Sequence, residues 1–174
     1  MGGFSIRSGC DADIGILLEV ERRAAGLLLD HGAHDLFAMH SLAAADLARG
    51  IRHGVVRVAE RDGQPVGFAL CNEVDGQAHL FEMDVLPEHG RCGIGTALLA
   101  STWDFAVAHG WTVMTLTTLR DVPWNGPFYL ARGFAELPLQ ECGKQLAEII
   151  ARERMLGFPM ELRMVMRRKS ALAA

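Results

Sequence analysis

HLFEMDVLPEHGRCGIGTALL, residues 79–99, is the stretch on which the fold turns. His79 to Leu86 alternates as a strand, with Leu80, Glu82 and Asp84 on one face and Phe81, Met83 and Val85 on the other. Pro87 to Gly95 is a short connection carrying three glycines, Gly90, Gly93 and Gly95. From Thr96 to His109 the apolar residues take helical spacing, and Gly110 is placed to cap that helix. Trp111 to Leu119, rich in Thr, Val and Leu, returns as a strand. A strand, a helix and a strand joined by a crossover of this length form a βαβ unit, so the two strands are predicted to be parallel.

Upstream the pattern is different. Val55 to Glu60 and Pro65 to Asn72 read as strands joined at Arg61-Asp62-Gly63-Gln64, and Asp75-Gly76 marks the next turn. Two successive hairpins predict an antiparallel meander leading into the parallel pair. Phe4 to Arg7 reads as a short strand. Cys10-Asp11-Ala12-Asp13 precedes a helix whose apolar stripe runs through Ile14, Leu17, Leu18, Ala25 and Leu28, and Glu21 falls on that stripe. Asp30 to His40 reads as a loop and Leu42 to Ile51 as a second helix. After the βαβ unit come a short helix over Pro123 to Arg132, a strand after Gly133-Phe134, an amphipathic helix over Lys144 to Leu156 and a last strand over Glu161 to Arg168. No repeat or linker divides the 174 residues, so residues 1–174 are read as one α/β domain with a mixed sheet. Ligands of such sheets bind beyond the carboxyl ends of the strands, where the parallel pair begins.

A formal charge of -4 supplies no basic field for nucleic acid. The four cysteines, Cys10, Cys71, Cys92 and Cys142, show no CxxC spacing, which argues against a zinc ribbon and a secreted disulfide framework. The opening MGGFSIRSGC has no signal-type apolar region, and Ile6 stands where a myristoylation signal needs Ser or Thr. No apolar run reaches the roughly 20 residues a bilayer span requires. These features predict a cytoplasmic protein with no membrane or nucleic-acid partner.

The glycine turn lets backbone N–H groups and the positive end of a helix approach an anion. A Walker loop is discarded because Thr96-Ala97 stands where Lys and Ser/Thr are needed. A dinucleotide fingerprint fails because Gly93-Ile94-Gly95-Thr96-Ala97-Leu98 ends in Leu and follows hairpins rather than a first βαβ unit. An acyl-CoA cradle and a ligand-free tight turn are the readings that remain.

The segment from His79 to Phe134 resembles the core of the GNAT superfamily of acetyl-CoA-dependent N-acetyltransferases. Gly90-Arg91-Cys92-Gly93-Ile94-Gly95 matches the second half of that superfamily's Q/R-x-x-G-x-G/A motif, and departs from it in having Gly90 where Gln or Arg is usual. PWNGPFYLARGF, residues 123–134, resembles its second motif, a helix with Asn and then Tyr that ends in Gly-Phe. The resemblance implies a single-domain α/β fold. Its sheet would be mixed and mostly antiparallel, with about seven strands, a central parallel pair splayed at the cofactor site and helices on both faces. It implies acetyl-CoA as cosubstrate, with no metal. Asp84 and Val85 would contribute main-chain contacts to the pantetheine arm, and Gly90, Arg91, Cys92, Gly93, Ile94, Gly95 and Thr96 would form the cradle, with Asn125 and Phe128 as further cofactor contacts.

Acetyl transfer needs a neutral amine, whereas alkyl amines have a pKa of about 10, so a base is useful. Glu82 is the first candidate, because a strand inside a mixed sheet is expected to be mostly apolar. An ion-paired or solvated carboxylate is its plain alternative. His79 and a water are the other candidate bases. An N–H near Val85 would stabilise the oxyanion, and Tyr129, the only tyrosine of the chain, stands at the superfamily's position for the proton donor to the CoA thiolate. Asn125, one helical turn earlier, would face the same side. Glu21 is a candidate anchor for a second amine of the acceptor, or else a flank of the apolar stripe. Trp124 would line the thioester channel or pack in the core. His31, His34 and His40 surround Phe37 without completing a plausible metal-ligand set. Met155, Met160, Met164 and Met166 suit core or homodimer-interface filling. The function expected is acetyl transfer to a primary amine of a small metabolite by direct attack in a ternary complex. Its rivals are protein or peptide N-acetylation and a non-catalytic acyl-CoA sensor.

Overall fold

Two Asp-Gly dipeptides set the hairpins. Asp62 and Gly63 take φ of 51° and 75°, and Asp75 and Gly76 take 53° and 71°, the paired left-handed residues of a primed hairpin turn. They separate β2 (Val56–Arg61), β3 (Gln64–Val74) and β4 (Gln77–Val85). The computed structural model describes residues 3–31, 35, 39 and 41–170. Its other strands are β1 (Ser5–Ser8), β5 (Val113–Leu119), β6 (Ala135–Glu136) and β7 (Arg163–Lys169), and the seven strands follow the order β1-β2-β3-β4-β5-β7-β6. β1, β2 and β3 pair antiparallel, as do β5 with β7 and β7 with β6. β5 runs parallel to β4, with Ala78 opposite Met114 and His79 opposite Thr115. The mixed, mostly antiparallel sheet with its one parallel pair is the α/β fold expected of the sequence.

The chain divides into two compact units, Met1–Asn72 with Phe81–Phe105, and Glu73–Leu80 with Ala106–Ala174. The first holds α1 (Ile14–Ala25), α2 (Ala44–Arg52) and most of α3 (Ile94–Ala108). Leu17, Val20, Leu47, Val58, Phe68 and Leu98 are all fully buried there, each contributing about 1.5–3 kcal/mol by leaving water. α3 begins at Ile94, two residues before the expected start, because the glycine turn ends sooner than its composition suggests. Asp35 and Met39, inside the stretch expected to be a loop, are helical, and His31 closes a 3-10 turn over Gly26–His31. His34, Phe37 and His40 lie outside the described residues, as does the His31 side chain.

Arg7 ties β1 to the start of α1. Its guanidinium donates to both oxygens of Asp13, at 2.7 and 2.8 Å, and its Nε donates to Glu60 at 2.7 Å, while the Cys10 N–H donates to Asp13 at 2.8 Å. The Arg7 hydrogen bonds outweigh burial and hold the Asp13 carboxyl at about 2. A carboxylate depressed in the folded state stabilises the fold above its ordinary pKa and loses that contribution as pH falls through the folded value. Asp13→Asn is therefore expected to cost about 2 kcal/mol at neutral pH, a gap that closes between about pH 4 and pH 2. Urea midpoints of parent and variant across that range test it, and a gap independent of pH would show that the ion pair is not its source.

The second unit holds α4 (Gly126–Leu130) and α5 (Lys144–Met155). Its core gathers Val74, Leu137, Leu146, Ile150 and Val165, with Met160 packed against it. Met164 and Met166 are buried, as core filling requires, whereas Met155 is 87% exposed. α4 is shorter than the expected Pro123 to Arg132, since Pro123 and Trp124 form a turn before it. Among the described residues no helix is long and apolar enough to cross a membrane.

Candidate active site

The connection after β4 is built for close backbone approach. Pro87–His89 makes one 3-10 turn, in which His89 N–H donates to Leu86 O at 2.9 Å and Gly90 N–H to Pro87 O at 3.1 Å. Arg91 and Gly93 then take left-handed φ of 57° and 83°. α3 starts at once, with Ala97 N–H donating to Gly93 O at 3.0 Å, so the N–H groups of its first turn lack intrahelical acceptors at the positive end of the helix. Gly90, Arg91, Cys92, Gly93 and Thr96 are exposed and Gly95 half-exposed, whereas the Ile94 side chain is buried and offers only its backbone. No side chain stands within 4 Å of where a Cβ on Gly93 would lie. This open cradle of backbone donors fits the phosphates of a coenzyme. Cys92 Sγ donates back to Gly90 O at 3.4 Å. Arg61 Nη1 lies 3.2 Å from His89 Nδ1. A guanidinium has no acceptor, so Nδ1 is the accepting atom of this contact.

Immediately before the cradle, β4 presents acids where a sheet interior would be apolar. Glu82 and Asp84 share a hydrogen bond. Asp84 is half-exposed as a residue, yet its Oδ2 is sealed from solvent and has no hydrogen-bond partner among the described residues. Burial first, and then the charges of Glu82 and Glu21, push the Asp84 carboxyl well above the usual range, which favours its protonated form as the donor to Glu82. On α1, Glu21 is half-buried and accepts the Leu42 N–H at 2.8 Å. Burial raises its pKa against that hydrogen bond. Glu21 is thus more than a polar flank of the stripe. The carboxyls of Glu21, Glu82 and Asp84 influence one another, but among the described residues no three His, Cys, Asp or Glu side chains meet closely enough to hold a metal ion.

Two contributors were not singled out in the sequence. The carboxyl of Asp84, expected to offer only main chain, belongs to the acidic group, and its place on the face of Glu82 was the available signal. Gly67 on β3 is the other: a Cβ there would lie 2.7 Å from Asp84 O and 3.3 Å from Val85 Cα. Only glycine lets β3 press this closely on the Asp84 and Val85 backbone, and no periodicity reveals such a contact.

The remaining candidates belong to the second unit. Tyr129, 7% exposed, stacks edge-on against Phe128 and Phe134, with centroids 5.1 and 5.5 Å away. The Arg132 guanidinium covers one face of Phe128 at 3.6 Å. Asn125 is the residue preceding α4, rather than lying within the helix as expected, and its side chain makes no capping bond. Trp124 is 39% exposed, which removes core packing as its explanation. His79 is buried, with Nδ1 2.9 Å from Thr115 Oγ1. Burial first, and then the charge of Arg163, lower its pKa to about 4. Its imidazole is thus enclosed and held neutral, whereas Glu82 is half-buried on the end of β4 that leads into the cradle.

A meander leads through one parallel crossover, with the glycine cradle at the start of the crossover helix. Residues 24–134, more than half of the chain, match the Acetyltransferase (GNAT) family, and the chain belongs to that family. The fold is shared with PaiA N-acetyltransferase of Thermoplasma acidophilum in complex with coenzyme A, at 17% identity and a TM-score of 0.75, covering 96% of this chain and 99% of that one. It is shared with the ribosomal-protein-S18-alanine N-acetyltransferase of Escherichia coli, at 18% identity and 0.68, covering 99% and 97%. N-acetylglutamate synthase of Neisseria gonorrhoeae, complexed with coenzyme A and N-acetyl-glutamate, matches at 18% identity and 0.74, covering 97% of this chain but 35% of that one. Family membership supports acyl-CoA-dependent acetyl transfer as the class of activity.

Proposed function

We propose that this protein is an N-acetyltransferase of one domain, residues 1–174, that moves the acetyl group of acetyl-CoA to a primary amine of a small metabolite by direct attack in a ternary complex. The observation that carries this reading is the group of carboxyls on β4 and α1 beside the cradle. A protonated amine is drawn to such a field, and Glu82, hydrogen-bonded to Asp84, is the acceptor for its proton. Glu21 suits the anchor for a second cationic group of the acceptor. Bound acetyl-CoA supplies an activated thioester: a C–N bond forms, the C–S bond breaks, and the thiolate takes a proton. Backbone N–H groups from Gly90 to Thr96 hold the phosphates, while Asp84 and Val85 offer main chain to the pantetheine arm, with the Val85 N–H facing the developing oxyanion. Tyr129 is the donor to the thiolate, Asn125 and Phe128 are cofactor contacts and Trp124 lines the acceptor side, roles that rest on the family motif they belong to.

Free-thiol release from acetyl-CoA across a panel of amines, amino acids and peptides tests the reading. Turnover confined to peptides would move it to protein acetylation, and acetyl-CoA binding without turnover on any acceptor would make the protein a sensor. Within the enzyme, Tyr129→Phe is expected to lower kcat about 10²-fold while leaving the Kd for acetyl-CoA within about twofold. Unchanged kcat would remove Tyr129 from the reaction.

A further inference from the structure

The second unit holds a cleft of about 290 Å³ with an apolar floor of Val74, Val113, Leu137 and Leu146. What it can bind follows from which polar groups on its rim are already engaged. Asp75 accepts the N–H groups of Gln145 and Leu146 at 2.9 and 3.0 Å, so both its oxygens are held at the N-terminus of α5. Gln77 Oε1 accepts the N–H groups of Thr112 and Val113 at 2.9 and 3.0 Å, which fixes the amide and leaves its NH₂ unspent. Glu141 accepts from Arg167 at 3.3 Å, and their charges cancel. Lys169 lines the same cleft and has no carboxylate partner among the described residues. The Lys169 ammonium and the Gln77 NH₂ are therefore the rim donors without a partner among the described residues, above an apolar floor.

The geometry points to a second ligand site on this face, for a small organic monoanion. Its carboxylate meets Lys169 and the Gln77 amide, and its hydrocarbon body lies on Val74, Val113, Leu137 and Leu146. An inorganic anion leaves the floor uncovered, and a cation has no acceptor left to it on a rim where Asp75 and Glu141 already accept hydrogen bonds. The volume suits a body of roughly ten heavy atoms, at the small end of ligand sites. This site is independent of acetyl transfer, because none of its residues takes part in the proposed reaction.

Hexanoate, 1-hexanol and hexylammonium, titrated into the full chain and followed by amide chemical shifts, test the assignment. Hexanoate is expected to saturate shifts at Gln77, Val113 and Lys169 below about 20 mM, with 1-hexanol and hexylammonium at least tenfold weaker. Lys169→Gln, a change at an exposed side chain, is expected to weaken hexanoate about tenfold and leave 1-hexanol unchanged. Val113→Phe, with its fold verified by thermal melting, is expected to abolish binding by filling the cleft. The site is overturned by absence of saturable hexanoate shifts, by equal affinity for 1-hexanol, by tighter binding of hexylammonium, or by hexanoate affinity that survives Lys169→Gln.

Discussion

Glu82→Gln is expected to lower kcat with acetyl-CoA and a primary amine by about 10² to 10³-fold, with the Kd for acetyl-CoA unchanged. Glutamine keeps the shape of the side chain and removes the basic oxygen, so the proton of the incoming ammonium loses its acceptor. Asp84 supplies the internal comparison. Its carboxyl is raised well above the ordinary range by burial and by Glu82 and Glu21, which favours the neutral donor form that asparagine imitates. Asp84→Asn is therefore expected to keep kcat within about fivefold of the parent, since it retains the hydrogen bond to Glu82. The stability effect has the opposite sign. A carboxyl raised in the folded state contributes most below its unfolded pKa, and that contribution is lost as pH rises toward the folded value. Asp84→Asn should thus melt higher than the parent at neutral and alkaline pH, with the difference vanishing near pH 4 and below. Steady-state thiol release and melting curves across pH separate the two acids. Equal losses of kcat in the two variants would show a dyad acting as one unit, and the assignment of Glu82 alone as base would be abandoned.

Much of this site was legible because period-two alternation is rigid: once β4 was read as a strand, Glu82 and Asp84 had to share a face. The Asp-Gly turns were legible for a similar reason, since two consecutive positive φ values leave few residue choices. Glu21 stood out as an acid on an apolar stripe, and the Leu42 N–H explains how a half-buried carboxylate is tolerated there. What did not show in the sequence depends on contacts between distant segments. His79 sits on a strand face that alternation alone cannot label as enclosed, and its lowered pKa comes first from burial and then from Arg163, far along the chain, while Thr115 holds its ring. Asn125 was placed inside a helix because Pro123 commonly opens one, whereas the helix starts at Gly126. The helical Asp35 and Met39 lie in a segment whose histidines and glycine weakened any periodic signal. Gly67 and Gly126 have no positive φ to demand glycine, and only the neighbouring backbone reveals why they are small.

Gly126→Ala is expected to cost about 3 kcal/mol and to lower the melting temperature by roughly 6 to 12 °C. A Cβ built at Gly126 would lie 2.4 Å from Arg120 O and 2.9 Å from Met164 Sδ. Methionine sulfur can swing aside, but the Arg120 carbonyl is main chain at the end of β5, anchored by Arg120 N–H donating to Leu162 O at 2.7 Å. Either that turn or α4 must move. Pro127 adds a second penalty, because a residue before proline that carries a Cβ is disfavoured in the helical region that α4 requires. Gly15→Ala is the matching control: Gly15 lies in α1 with nothing within 4 Å of its Cβ position, so the change should be neutral or stabilise by about 0.5–1 kcal/mol. Because α4 carries Phe128 and Tyr129, displacement of the helix is expected to reduce turnover in the folded Gly126→Ala enzyme as well as its melting point. A Gly126→Ala protein melting within about 2 °C of the parent would mean that the Arg120 turn yields freely, and that Gly126 does not fix the position of Tyr129.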